Sequence, residues 1–342
     1  MHDRKAKALS TTHNESTGEK SPAVSFGKPK SKHIQSVIEG SIHSSLILCA
    51  LFSIFTTFSV ILVLGNQTNK FFTSANITLW DYLTGLQWNP LLGAEKHYGV
   101  LPLIVGTLLV TIVAMAIAIP FGLLTAIFLS EYAPAKIRSI LKPVLEILAG
   151  VPTVVYGFFA LTVITPILHV ISSKFEIYNV SSAGIAVGIM CIPIITSLSE
   201  DAFRSVPDRL RQGAYGLGAT QFDVSIKVVF PAALSGVISA SLLAITRAVG
   251  ETMIVALAAG NLARHLSPDG RNPFEWFTDA FGITQSGQTM TAYMVQIFLG
   301  DASQFGPEYL SAFAVGATLF VMTLCLTLVG QYIRVRYRNE YE

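Results

Sequence analysis

The 32 consecutive residues from Gly99 to Ser130 carry no charge, and that run constrains the fold more than any other feature of the chain. A straight helix of that length would run about 48 Å at about 1.5 Å per residue. The hydrocarbon core of a bilayer is about 30 Å thick. The run is therefore expected to span a membrane and to tilt, or to break near Pro120, Phe121 and Gly122. The totals agree with a membrane chain. Of 342 residues, 51% are hydrophobic and only 13% charged, against about 25% charged in soluble domains. There is too little polar surface to face water on all sides.

Five further apolar runs are read as spans: Ser44 to Leu64, Val144 to Ile171, Ser182 to Ser199, Ala232 to Gly260 and Tyr309 to Ile333. The expected fold class is all-α integral membrane, with six transmembrane helices. Residues 1–40 are polar and basic with no hydrophobic period, which predicts a disordered tail. A signal peptide is the competing reading of the first span, but the tail before it is long and no small-residue cleavage pattern follows. Residues 41–98 hold the first span and a polar external segment in which Leu79, Tyr82, Leu83 and Leu86 fall at helical spacing. Trp80, Tyr82 and Trp88 suit the membrane–water boundary there. Residues 131–143 are a basic link, and Lys142 and Glu146 are spaced for an i, i+4 ion pair. A further helix is expected where Met290, Tyr293, Met294, Ile297 and Phe298 share a face; it is too short to span and should lie on the membrane or under a partner. Cys49, Cys191 and Cys325 sit in apolar runs and read as small buried hydrophobes. The seven histidines have no ligand spacing, so no metal site is expected.

Basic residues give the orientation. Seventeen lie in the tail, in 131–143, in 200–231 and at the C-terminus, against five in the segments between, namely Lys70, Lys96, Lys174, Arg264 and Arg271. The positive-inside rule then puts both termini and 200–231 in the cytoplasm.

The segment from Glu200 to Pro231 stands apart, with eight charged residues between two apolar runs. Pro207 can start a helix, with Leu210, Ala214 and Leu217 on one face. Gly218 is a natural stop that can take positive φ. Thr220 and Asp223 match a capping box with Asp in place of Glu, and a second short helix would place Phe222, Ile226 and Val229 together. Two short helices meeting at Gly218, Ala219 and Thr220 form a compact knob fixed at both ends to spans. It is either a docking platform or an ordinary solvated loop.

The spacing of Gln212, Gly213 and Ala214, then Gly218, then Val228, Val229, Phe230 and Pro231 resembles the EAA loop of ABC importer permeases. Gln212 and Gly213 stand for the Glu and first Ala of that pattern, and Val228 and Phe230 for its Ile and Leu. More of the chain resembles the PstC-type phosphate permeases: Trp88-Asn89-Pro90, Tyr98 to Pro102, Gly106-Thr107-Leu108, Leu129 to Pro134, Val151 to Gly157 and Arg247 to Met253. The likeness covers roughly residues 80–335 and leaves out the basic tail. It implies a type I importer permease fold, with a transmembrane domain over 99–335, a cytoplasmic coupling-helix loop at 200–231 and a short tail at 336–342. It also implies location in the bacterial inner membrane, in contact with lipid. The implied partners are a PstA-type permease in a heterodimer, a PstB-type ATPase dimer at the cytoplasmic face, a periplasmic phosphate-binding protein and inorganic phosphate; no nucleic acid is expected. Gln212, Gly213, Ala214, Gly218, Ala219, Thr220 and Pro231 would meet the ATPase.

Arg247 and Glu251 are the charges inside the fifth span. One helical turn apart, they would share a face near mid-membrane, where a lone charge costs about 2.5–3.5 kcal/mol. They are either an internal ion pair that fixes packing or contacts in a pathway for an oxyanion. The arginine fork matches phosphate oxygens and stays charged. Glu251 could accept a hydrogen bond from a protonated phosphate oxygen, which sulfate lacks at neutral pH. No G-x-x-x-x-G-K-[ST] pattern occurs, so no cofactor is expected on this chain and ATP would be bound by the partner ATPase. Two rivals remain open: a proton-coupled secondary transporter using Glu251, and a membrane scaffold without a path.

Overall fold

The computed structural model describes residues 32–91, 96–264, 266, 281–300 and 306–338. The chain divides into two units, Met1–Val60 and Ile61–Glu342. Helix α1 (Lys32–Ala75) runs through the boundary. Residues 32–40, expected to belong to a disordered tail, are helical, and residues 1–31 lie outside the described residues. The helix also continues well past Leu64, where the first span was expected to end.

Within the second unit, α2 (Leu79–Thr84) is capped by Thr78, whose hydroxyl accepts from the Asp81 N–H at 3.1 Å. Strands β1 (Trp88–Asn89) and β2 (His97–Tyr98) pair antiparallel, Trp88 opposite Tyr98. Tyr82 and Trp88 are buried, contrary to the interfacial expectation, while Trp80 is exposed. They pack edge to face with Phe71, Phe72, Tyr98 and Tyr293; the Trp88 and Tyr293 centroids are 4.9 Å apart. Aromatic rings bury large areas and prefer this geometry, so the cluster is a core in its own right.

Helix α3 (Leu101–Ile127) runs through Pro120 without breaking and closes in a π turn over Phe128–Tyr132. Next comes α4 (Ala135–Ala149), an amphipathic helix with no buried side chain. The third span is shorter than expected: it starts after Pro152 as α5 (Thr153–Phe159), passes a π turn over Ala160–Ile164 and ends as α6 (Thr165–Ile171). Pro152 accounts for the break, because the residue before a proline is pushed out of the helical region. The Lys142–Glu146 pair does not form; Lys142 reaches Glu200 and Asp201 instead, each at 3.1 Å, and Glu146 is exposed.

Helix α7 (Val180–Ser205) begins at Asn179, whose side chain caps it, and absorbs the first residues of the 200–231 segment. The loop helices are α8 (Asp208–Gly216), α9 (Gln221–Val224), a π turn over Ser225–Val229, and α10 (Phe230–Ala232). The chain bends by 70° into α11 (Leu234–Val249), and α12 (Met253–Ala258) follows after a break. In helix α13 (Met290–Leu299), expected to lie on the membrane or under a partner, Met290, Tyr293 and Ile297 are buried in the aromatic core of this chain and Phe298 is exposed. Helix α14 (Pro307–Arg338) ends the described chain. Five of these helices are long and apolar enough to cross a membrane, and the bent α9–α11 pair supplies a sixth candidate. Of the cysteines only Cys191 is buried; Cys49 and Cys325 are exposed.

The principal seam joins α3 and α7. Side chains added at Gly184 and Gly188 would stand 2.6 Å from the Val113 Cβ and 2.8 Å from the Ala114 carbonyl oxygen. Small residues let membrane helices approach to van der Waals contact, which drives their association where lipid removes the hydrophobic difference. Gly188→Val is expected to cost about 1–3 kcal/mol by overpacking and to lower the Tm of the purified protein in detergent. Gly65→Ala, inside α1 with nothing within 4 Å, is the control and should leave the Tm unchanged or slightly raised.

Candidate functional site

Two groups of residues were singled out from the sequence, and the structure places them about one helix apart. The first is the loop. Pro207 precedes α8 in an extended conformation. The helix stops because Gly218 turns to φ +84°, a left-handed value that a Cβ penalises. The N–H groups of Gly218 and Ala219 bond to Tyr215 and Ala214 carbonyls at 2.9 and 3.1 Å, closing the helix end. Thr220 then caps α9: its oxygen accepts from the Asp223 N–H at 3.2 Å and its hydroxyl donates to the Asp223 carboxylate at 2.6 Å.

The knob has an inner and an outer side. Val224, Val229, Phe203, Val206 and Ala126 are buried together at the ends of α3 and α7, with Ala214 and Ala219 packed on them. Gln212, Gly213, Gly218 and Thr220 are exposed, and Pro231 is half-buried. Of the two expected faces, Leu210 and Leu217 share exposure but Ala214 turns inward, and Phe222 and Ile226 are exposed while Val229 is buried. Leu217 is 90% exposed and Phe222 65%. A charged loop that holds large apolar side chains outward presents a surface that water does not favour.

Sequence reading missed the ties beneath the knob. Arg211 reaches the Glu131 carboxylate with Nη2 at 3.0 Å and Nε at 3.4 Å, and donates to the Phe203 and Val206 carbonyls at 2.8 and 2.6 Å. Gln221 donates to the Glu131 carbonyl at 2.6 Å. Nearby, fully buried Glu200 accepts from Arg138, with Lys142 at 3.1 Å and Arg204 at 3.9 Å. Burial opposes the Lys142 charge, but hydrogen bonds to Asp201 and Glu200 and their negative charge outweigh it, so its pKa is raised. Glu131 and Arg211 lie 80 positions apart, so no local spacing marks the pair.

The second group is Arg247 and Glu251. The ion pair, one of the two readings open from the sequence, is not formed. Helix α11 ends at Val249, and Thr252, which caps α12, has φ −114° and ψ −55°. With the helix interrupted, four-residue spacing no longer aligns the side chains. Glu251 is 7% exposed; its Oε1 accepts from the Ile254 N–H at 3.4 Å, and its carbonyl accepts from Thr291 Oγ1 at 2.7 Å. Arg247 is exposed in the last turn of α11, with Met190 Sδ 4.0 Å from Nη2. The other side of α12 borders an outer cavity of about 1220 Å³ lined in part by His169, Lys174, Glu176, Asn261 and Ser286.

Comparison with known proteins places this architecture. Residues 118–339 match the family described as binding-protein-dependent transport system inner membrane component. A probable ABC transporter permease protein, YqgH of Bacillus subtilis, is 34% identical over 288 residues, 84% of this chain and 88% of the relative. The phosphate transport system permease protein PstC of Xylella fastidiosa (strain Temecula1) is 33% identical over 280 residues, 76% and 80% of the two chains. Among solved structures, a bacterial alginate ABC transporter in complex with an alginate pentasaccharide-bound periplasmic protein aligns with a TM-score of 0.60 at 13% identity. The alignment covers 88% of this chain and 96% of that one. At that identity the likeness is one of fold, and the fold is the type I importer permease fold.

Two glycines in the knob should separate under substitution. Gly213 lies inside α8 with nothing within 4 Å of a built Cβ, so Gly213→Ala should stabilise by about 0.5–1 kcal/mol. Gly218 has equal space but positive φ, so Gly218→Ala should cost about 1–2 kcal/mol. Thermal unfolding of the two purified variants against wild type checks both signs.

Proposed function

Because this chain belongs to the family of binding-protein-dependent transport system inner membrane components, we propose that it is the permease subunit of an ATP-driven phosphate importer. It is a transport component and not an enzyme. It forms half of the path for inorganic phosphate, within a transmembrane domain over 99–335, and pairs with a second permease of the PstA type. A periplasmic phosphate-binding protein delivers the ion to the outer face. A PstB-type ATPase dimer binds the ATP and docks on the loop at 200–231, where Gln212, Gly213, Ala214, Gly218, Ala219, Thr220 and Pro231 form the contact region. Both termini are cytoplasmic in the bacterial inner membrane, the orientation that the 17-to-5 bias of basic residues supports. The phosphate assignment is supported by relatives named as phosphate permeases, at 33% identity over 76% of the chain.

The observation that carries the pathway reading is the disposition of Arg247. Its guanidinium is exposed at the end of α11, and the nearby carboxylate of Glu251 does not pair with it. An arginine so placed is free to meet an oxyanion with its planar fork. The break also fits transport of anions, since membrane transporters place substrates at interrupted helices. Glu251 holds the start of α12 and keeps negative charge close to the path. A carboxylate there tempers anion binding, and a pathway must release what it binds.

Hydrogen bonds to charged groups contribute about 1.5–3 kcal/mol each, which corresponds to about a 10- to 100-fold change in rate. Arg247→Gln should therefore lower phosphate uptake by at least tenfold while the complex still assembles. Uptake at the wild-type rate in an assembled complex would remove Arg247 from the path. Glu251→Gln keeps an oxygen for the Ile254 N–H and removes the charge. Its expected effect is a changed ratio of phosphate to sulfate uptake, and an unaltered ratio would leave Glu251 a structural cap only. Phosphate-stimulated ATP hydrolysis by the purified wild-type complex tests the substrate itself; stimulation by a different oxyanion alone would redirect the assignment.

A further inference from the structure

We propose that Glu131, held by Arg211 and Gln221, is a positioning clamp that carries movement of the ATPase-docking loop into α7 and so to Arg247. The proposal rests on reading 200–231 as that docking loop. It names a side-chain tie that acts beside the two covalent joints of the loop, Val206–Pro207 into α7 and Pro231 into α11.

Beside the apolar packing of the knob, its polar ties converge on one residue. Among the described residues, every side-chain hydrogen bond from α8 to a membrane helix comes from Arg211. The one from α9 comes from Gln221 and also ends on Glu131. Both short helices of the knob are therefore tied to the same residue. Arg211 and Glu131 are 15% and 7% exposed, so the pair is largely withdrawn from the screening that weakens surface ion pairs. The fork also binds the last carbonyls of α7, at Phe203 and Val206. One guanidinium thus joins three segments: the knob, the end of α3 and the end of α7. Glu131 sits in the π turn over Phe128–Tyr132. A π turn inserts a residue into the helix and rotates the residues after it, and here it aims Glu131 at the loop.

At its other end the route reaches the pathway residue. Helix α7 carries Met190, whose sulfur is 4.0 Å from Arg247 Nη2, and Cys191, whose sulfur lies 3.9 Å from the Ala244 carbonyl of α11. A shift of α7 along its axis moves the side chains that flank Arg247. The covalent joint through Pro231, by contrast, turns 70° between the loop helices and α11. A bend absorbs part of any push, whereas a rod clamped at its end transmits it.

The test follows hydrogen exchange in the whole transporter complex, with and without ATP. In the wild type, ATP is expected to change protection in both 208–216 and 180–205. Glu131→Gln removes the ion pair that holds the Arg211 fork on the Phe203 and Val206 carbonyls but keeps the backbone acceptor for Gln221, and Gln221→Ala removes an exposed side chain; the double variant removes both ties to Glu131. In the double variant, 208–216 should respond as in the wild type, while the change in 180–205 falls by at least about fivefold, the low end of ordinary coupling between sites. Each single variant should give an intermediate loss. Phosphate moved per ATP hydrolysed should fall alongside. A structural role alone would lower Tm and leave the ATP-driven change in 180–205 intact, which overturns the clamp. Loss of response in 208–216 itself would also overturn it, because the ties would then only hold the knob folded. If the wild-type complex shows no response in 208–216, the docking-loop reading fails first and the clamp with it. The exchange readout needs no phosphate, so it stays separate from the substrate assignment.

Discussion

Close contact between α3 and α7 is the constraint on which the rest of the second unit depends. Gly122, Gly184 and Gly188 let the two helices meet where a Cβ would collide with Ile195, Val113 and the Ala114 backbone. Around that seam Ala114, Ala118, Ala183, Ala186 and Val187 are fully buried. In lipid the driving force for such a seam is packing and not removal of apolar area from water. It follows that volume matters more than hydrophobicity here. The ends of the seam carry two largely buried carboxylates. Glu131 projects from the end of α3, Glu200 from the end of α7, and Met190 from the middle of α7 toward α11.

Charge is placed with matching economy. Glu200 has 1% of its side chain exposed and is surrounded by Arg138, Lys142 and Arg204. An unpaired carboxylate at such burial would cost several kcal/mol after relaxation. With Arg138 and Lys142 supplied by α4, the pairing explains why an amphipathic helix with no buried side chain holds a fixed place. Its apolar residues Ile137, Ile140, Val144 and Ile147 point away from the protein. The ion pairs attach it at one end, and Leu148 packs on the core at the other. The two glutamates divide the work at this face: Glu200 fastens α4 to α7, and Glu131 fastens the knob to the end of α3.

Much of this was legible in the sequence wherever the signal was local. Long uncharged runs marked the membrane helices, because no other environment accepts them. Gly218 and the Thr220–Asp223 pair marked the joint in the knob, because chain reversal and capping are decided by neighbouring residues. Signals that depend on distant partners were not legible. Tyr82 and Trp88 look interfacial by type, yet Phe71 and Tyr293 enclose them from far along the chain. Lys142 had a partner at the right spacing in Glu146, but α7 offered Glu200 with better burial. Pro120 looked like a break and is not one, since a proline costs a helix one donor and neighbouring membrane helices can supply the packing to hold it. The real break follows Val249, in a Gly-Glu-Thr run that contains no proline.

That break also bears on the two readings of Arg247 that the sequence left open, and it favours the pathway contact proposed above. A continuous helix would have aligned Arg247 and Glu251, and a closed ion pair would have served packing alone. With the helix stopped at Val249, the C-terminal carbonyls of α11 face Arg247, an arrangement that stabilises a cation by about 0.3–1 kcal/mol in exposed settings. A charge at mid-membrane costs about 2.5–3.5 kcal/mol, so the helix end offsets only part of it. Glu251 does not make up the difference, because its carboxylate is buried and turned to the Ile254 N–H. A sulfur from Met190 does not make it up either, being a weak acceptor. On the proposed pathway reading, water or a passing anion would relieve the remaining cost. An arginine left in this state is poorly suited to hold helices together and well suited to an ion that comes and goes.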